Sequence, residues 1–181
     1  MFPKAHAAAY VMMAWRVAYC KIFYPLEYYC AYFSIRAKAF DYEKMAMGRD
    51  KLDYYIKEYR KKAELNTITD PEKEELKDMR LAEEMYARGF DFMPIDIYKA
   101  KARDFQIFNG KIMPSLKVVD KVGEVAGESI EIAASAGNKF LSKEDLMKRA
   151  KVGQTVIDKL SEIHALDGFT ESNQLTLFDF N

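Results

Sequence analysis

The chain has few cysteines, no excess of charge and no long apolar run, and each shortage removes a class of protein. Cys20 and Cys30 are the only cysteines in 181 residues. They lie in helical, aromatic surroundings without a Cys-x-x-Cys spacing. That reads as buried thiols in a reducing cytoplasm, not as a disulfide framework or a metal site. The longest stretch near the start without a charged side chain, Ala5 to Trp15, stops at Arg16, whereas a membrane span needs about 20 apolar residues. No basic region followed by an apolar run and a small-residue cleavage site marks a signal peptide. The expected location is cytoplasmic, with no membrane partner.

Lysine and arginine together number 28, and so do aspartate and glutamate. The balance is uneven: residues 1–40 carry net +4, and residues 41–90 and 91–181 carry −2 each. This is no polybasic arm, so any contact with a nucleic acid must come from local geometry and not from bulk field. Metal-dependent phosphoryl transfer needs carboxylates grouped beside the substrate. Asp41, Asp50 and Asp53 sit on or beside a charged helix with no partner constellation, and read as a solvated face. Half of the chain is hydrophobic, ample for one large domain or two small ones.

The pattern along the chain is mainly α. An aromatic, Ala-rich helix opens abruptly and runs to about Phe23; such an apolar start reads as the C-terminal piece of something longer. Pro25 suits the first turn of a second helix reaching about Phe40. Its Tyr28, Tyr29, Tyr32 and Phe33 must pack on the first helix or on a missing neighbour. After Gly48 a charged helix spans about Asp50 to Glu64. Thr69-Asp70-Pro71-Glu72 then caps another that ends at Gly89. Both charged helices read as solvated outer faces. Met93 to Tyr98 is strand-like, and Phe105 to Met113 reads as a β-hairpin turning on Asn109-Gly110. Helices return from Pro114 to Leu166, with a boundary near residue 113.

Two copies of one pattern occupy the helical end. The first runs from Val118 to Ile130 through Lys121-Val122-Gly123, and the second from Leu146 to Leu160 through Lys151-Val152-Gly153. Helix, Lys-Val-Gly, helix is a tandem helix-hairpin-helix arrangement. The glycine hairpin exposes backbone N–H groups at the next helix's N-terminus, which binds phosphate without reading sequence. The second copy is the stronger candidate: Lys148, Arg149 and Lys151 surround Gly153, with Gln154 and Thr155 at the helix start. In the first copy Glu124 and Glu128 sit where a phosphate would approach Lys121 and Gly123, so a hairpin kept for packing stays open there.

The chain closes on Gln174-Leu175-Thr176-Leu177-Phe178 behind Thr170-Glu171-Ser172-Asn173, which reads as a flexible tether. Apolar side chains on a polar-flanked end point to a partner's pocket, or else to a frayed terminal strand folded back on the body. Gln-Leu-x-Leu-Phe at an extreme C-terminus resembles the sliding-clamp-binding motif of bacterial replication proteins, with Leu177 and Phe178 filling the pocket and Gln174 hydrogen-bonding beside it.

Taken together, the chain resembles the C-terminal end of the bacterial replicative DNA polymerase III alpha subunit, PolC type. Phe2-Pro3-Lys4-Ala5-His6-Ala7-Ala8-Ala9-Tyr10 is similar to that family's fingers signature. Phe140-Leu141-Ser142-Lys143-Glu144-Asp145-Leu146 is similar to its link between hairpins, and the tail matches where the family ends. The resemblance implies a helical fingers segment with a small β-hairpin, then a tandem hairpin module and a flexible tail. The boundaries are 1–90 for the fingers, 91–113 for a β-hairpin connector, 114–168 for the duplex-binding module and 169–181 for the clamp-binding tail. It places Lys4 and His6 near the incoming nucleotide's phosphates, although packing serves His6 equally well. It implies primer–template DNA, the sliding clamp, and remaining polymerase domains or replisome subunits as partners.

The family carries its catalytic aspartates in the palm and its nuclease and phosphoesterase-like acids in other domains, all before this segment. The chain alone should therefore be inactive, with Mg2+ expected only for the complete polymerase. Three departures weaken the first hairpin. Asp120-Lys121-Val122-Gly123 replaces the family's Pro-Gly-x-Gly, residues 131–137 lack its arginine, and Ala100 replaces a small polar residue. The rival readings are a stand-alone, non-catalytic DNA- and clamp-binding adaptor and a helical interaction protein whose hairpins are purely structural.

Overall fold

The structure, a computed structural model, describes residues 3–172. Helix α1 (Lys4–Phe23) follows Pro3, and α2 (Pro25–Ile35) takes Pro25 in its first turn, where the missing N–H costs nothing. Helix α1 is apolar on all sides, yet no residue of it is buried; Trp15 is 75% exposed. Cys20, expected to be buried, is exposed for that reason, while Cys30 on α2 is half-buried. Burial pushes the Cys30 thiol up to about 11, with Asp104 and Glu27 adding to it.

Helix α2 stops at Ile35, short of the expected Phe40. The chain has to leave the helical path there to bring Phe40 onto Phe33, with ring centroids 5.1 Å apart, and onto Phe92 and Phe105. Asp78 fixes the exit by accepting the Ala39 N–H at 3.1 Å. The α2 aromatics do not pack mainly on α1. Tyr29 and Phe33 are fully buried in a core completed by short α3 (Tyr42–Met45), α4 (Arg49–Glu64) and α5 (Asp70–Ala87).

Helices α4 and α5 are therefore more than solvated faces. Leu52, Ile56 and Tyr59 form one stripe, and Leu76, Met79, Ala82 and Met85 the facing one, at the spacing that lines one side of a helix. The expected capping box at Thr69 and Glu72 is present at the start of α5.

Strands β1 (Gln106–Phe108) and β2 (Lys111–Met113) pair antiparallel. The turn between them puts Asn109 and Gly110 at φ 50° and 74°, the left-handed pair that a type I′ turn requires. Residues 93–98 are not a strand. Pro94 has no N–H to give a ladder, and the Asp96 side chain accepts the Tyr98 N–H at 3.0 Å, winding the chain into a turn. Only Phe92 bridges to Ile112.

A second core gathers α6 (Gly123–Ser135), α7 (Lys143–Ala150) and α8 (Gln154–Glu162) around Leu116, Val122, Ile130, Leu146 and Leu160. Ile95, Ile97 and Ala100 belong to it, whereas Phe105 and Ile112 belong to the first core. The packing seam thus runs through the connector. Helix α3 joins the halves: Tyr42 enters the second core, Met45 the first, and Glu43 pairs with Lys159 of α8. Among the described residues no helix is long and apolar enough to cross a membrane.

Candidate nucleic-acid interface

The second hairpin is built by three successive local decisions. Ser142 caps α7 by accepting the Asp145 N–H at 3.1 Å. Lys151 then ends that helix in the left-handed region, φ 53°, with its N–H on the Met147 carbonyl. Val152 dives into the core, and Gly153 leads into α8 with extended backbone, φ −80° and ψ 165°. No side chain caps α8; the Val156 N–H turns back to the Gly153 carbonyl at 3.1 Å, and the Gln154 and Thr155 N–H groups are those a helix start leaves without an intrahelical acceptor. Gly153 needs neither a positive φ nor space, since a Cβ there would meet nothing within 4 Å. Its bareness leaves the amides accessible to an anion.

The side chains around this terminus differ in how far they are committed. Lys151 is exposed and makes no ion pair among the described residues. Lys148 is exposed too but pairs with Glu144 at 2.6 Å on its own helix. Gln154 donates to Asp158 at 2.8 Å, and Thr155 is exposed. Arg149, expected beside the phosphate, faces the other way. Its guanidinium donates to the carbonyls of Ala133, Asn138 and Lys139 and lies 4.4 Å from the Phe140 ring centroid. It clamps the end of α6 and the loop that follows to α7, because the Ala133 carbonyl in the last turn and the loop carbonyls of Asn138 and Lys139 converge on a planar five-donor group.

The first hairpin shares the left-handed lysine and buried valine of the second but neither its glycine conformation nor its electrostatics. Lys121 is again left-handed, φ 61°, and Val122 again buried. Its leading element is only a 3-10 turn, Leu116–Val118, and not a helix. Gly123 sits at φ 63°, a region other residues enter with strain. Glu124 and Glu128 are bridged by Arg103 at 2.7 and 2.6 Å. The acids thus carry their own counter-ion, 21 residues or more away in sequence, and no local spacing announces that partnership. Lys121 and Gly123 border an open groove of about 460 Å³ whose rim mixes Lys117 with Asp41, Glu75 and Asp120.

Of the remaining candidates among the described residues, only Asp41 reaches a hairpin, at the rim of that groove. Lys4 and His6 stand on exposed α1, the His6 ring 4.6 Å from that of Tyr10. Asp41 caps α3 and pairs with Lys44, and Asp53 pairs with Arg49. Among the described residues no three His, Cys, Asp or Glu side chains group so as to hold a metal. Gln174, Leu175, Leu177 and Phe178 lie outside the described residues. Thr170 to Ser172, expected as tether, are held against α7 instead.

This geometry defines a helix-hairpin-helix protein, and the family described as a helix-hairpin-helix motif matches residues 89–176. Over 179 residues, 99% of the chain, it is 45% identical to a DNA polymerase III PolC-type of Streptococcus suis. It is 44% identical to that of Streptococcus agalactiae and 42% identical to that of Streptococcus thermophilus over the same span. The chain belongs with the PolC-type DNA polymerases III and spans 12% of the length of these relatives.

Proposed function

We propose that this chain supplies the duplex-holding and clamp-attaching end of a PolC-type replicative polymerase. The observation that carries this reading is the uncapped start of α8, flanked by exposed Lys151 and by a glycine the fold itself does not require. Uncapped helix amides with a mobile cation beside them hold a phosphate through its charge and shape and ignore the bases. Lys148, Gln154 and Thr155 line the same terminus. At the first hairpin only Lys121 and Gly123 would take part, with Glu124 and Glu128 neutralised by Arg103.

Residues 1–90 would serve as the end of the fingers, with Lys4 and His6 toward the nucleotide. Helix α1 fits this role better than that of an independent adaptor. A helix of 20 residues with apolar side chains all round and none buried belongs against a further protein surface. The remaining polymerase domains are the partner this reading provides, and Mg2+ would act in the complete enzyme. The tail, Gln174 to Phe178, would enter an apolar pocket of the sliding clamp and raise the effective concentration of enzyme at the primer end.

Lys151→Glu tests the duplex role by fluorescence anisotropy with a labelled duplex. Reversing one phosphate contact should weaken binding about tenfold or more. Unchanged affinity in a folded variant would leave the hairpins purely structural. For the tail, Leu177→Ala/Phe178→Ala should abolish binding to the clamp while leaving duplex affinity intact.

A further inference from the structure

Helix α1 is held to the rest of the chain by its last turn. Within α1, Lys21 alone is half-buried and every other residue is exposed, so packing along the helix does not fix its direction. The joint to α2 is a single non-helical residue, Tyr24, at φ −133° and ψ 57°, which leaves two rotatable backbone bonds between the two axes.

The hold comes from α5. The Lys21 ammonium donates to Glu84 Oε2 at 2.8 Å, although the two lie 63 residues apart, and stands 5.5 Å from the Tyr28 ring centroid. The other carboxylate oxygen, Glu84 Oε1, accepts from the Tyr29 hydroxyl at 2.7 Å. That hydroxyl belongs to a fully buried side chain of α2 and itself accepts from Arg88 at 3.1 Å. One carboxylate with both oxygens occupied thus joins α1, α2 and α5. Burial works against its charge, but the bonds from Lys21 and Tyr29 outweigh that and hold the Glu84 carboxyl below its ordinary value.

We propose that Lys21 and Glu84 are a positioning pair that sets the direction of α1, and with it the place where Lys4 and His6 stand. Lys4 lies 17 residues before Lys21, about 25 Å along the helix at about 1.5 Å per residue. At that reach a tilt of about 10° carries the Lys4 end through roughly 4 Å. A misplacement of about 1 Å is enough to cost a reaction dearly. This rests on the reading that residues 1–90 end the fingers with Lys4 toward the nucleotide; Lys21 and Glu84 act through Lys4 and do not touch substrate.

Lys21→Met cuts the tie while leaving Glu84 bonded to Tyr29, and Lys21→Arg keeps it. A partly exposed ion pair adds little to stability, so both variants should melt like the parent. Trp15, the single tryptophan, stands on α1 six residues from Lys21, and its time-resolved fluorescence anisotropy reports the helix directly. Lys21→Met should enlarge the fast component of the decay several-fold over the parent and Lys21→Arg. Equal decays in all three would overturn the tie. In the complete polymerase carrying this segment, Lys21→Met should raise the KM for nucleotide several-fold and Lys21→Arg should not, with duplex affinity unchanged in both. Lys4→Ala, measured beside them, reads the fingers assignment by itself. A KM raised by Lys4→Ala but not by Lys21→Met would refute the positioning role and leave that assignment standing. A KM that neither variant moves would refute both.

Discussion

Gly153→Asp separates the fold of the second hairpin from its surface chemistry. The backbone at Gly153 is extended, which any residue adopts, and nothing lies within 4 Å of the position a Cβ would take. Aspartate is among the favoured N-cap residues, so the change should leave stability unaltered or raise it by up to about 1 kcal/mol. The same carboxylate would occupy the α8 amides that a phosphate is proposed to use. Losing charge-assisted hydrogen bonds costs about 1.5–3 kcal/mol. A like charge about 4 Å from the phosphate adds about 1 kcal/mol even at the dielectric of water. Together these come to about 2.5–4 kcal/mol, or roughly a hundredfold loss of duplex affinity at about 1.4 kcal/mol per factor of ten. Thermal melting and duplex anisotropy at one fixed salt concentration give both readouts. A variant that melts like the parent and binds DNA as tightly would refute the assignment of this terminus to phosphate.

Other changes probe the surrounding structure. Gly123→Ala places a Cβ at φ 63° and should cost about 1–2 kcal/mol, read as a lower melting temperature, with far less loss of DNA affinity than Gly153→Asp. Arg149→Ala should lower the free energy of urea unfolding by about 2–3 kcal/mol by orphaning carbonyls at the end of α6 and in the loop after it, and Arg149→Lys should not restore it, because one ammonium cannot span them. The Glu72 carboxyl is held down to about 2 by its hydrogen bond to Lys62 and then by its bonds to Thr69. Its folded pKa is depressed, so its contribution is present above the ordinary 4.5 and is lost as pH falls toward 2. Glu72→Gln, which keeps the capping geometry, should make the urea midpoint less sensitive to acid over that range. An equal acid dependence in parent and variant would contradict this.

Local signals in the sequence were legible where one residue type dictates one conformation. Asn109-Gly110 marked the hairpin, Thr69 and Glu72 the α5 cap, and the repeated Lys-Val-Gly the two tandem turns, because each is decided within a few residues. The end of α2 was not legible, since Phe40 leaves the helix to meet Phe92 and Phe105, more than 50 residues away. Arg149 looked like a phosphate ligand from its neighbours in sequence, but its destination was set by carbonyls of the preceding helix end and the loop after it. Arg103 was invisible for the same reason: its partners Glu124 and Glu128 are brought to it only by the second core. Long-range acceptors decide where long cationic side chains go, and sequence spacing does not report them.

An uncapped helix start with a cation beside it should bind duplex through the backbone and without regard to sequence. The decisive measurement is the affinity of the intact chain for two unrelated duplexes of equal length over a series of salt concentrations. Equal affinities that fall together with salt, with a slope of about −0.9 for each phosphate engaged, are the predicted result. A strong preference for one duplex, or an affinity that ignores salt, would contradict it.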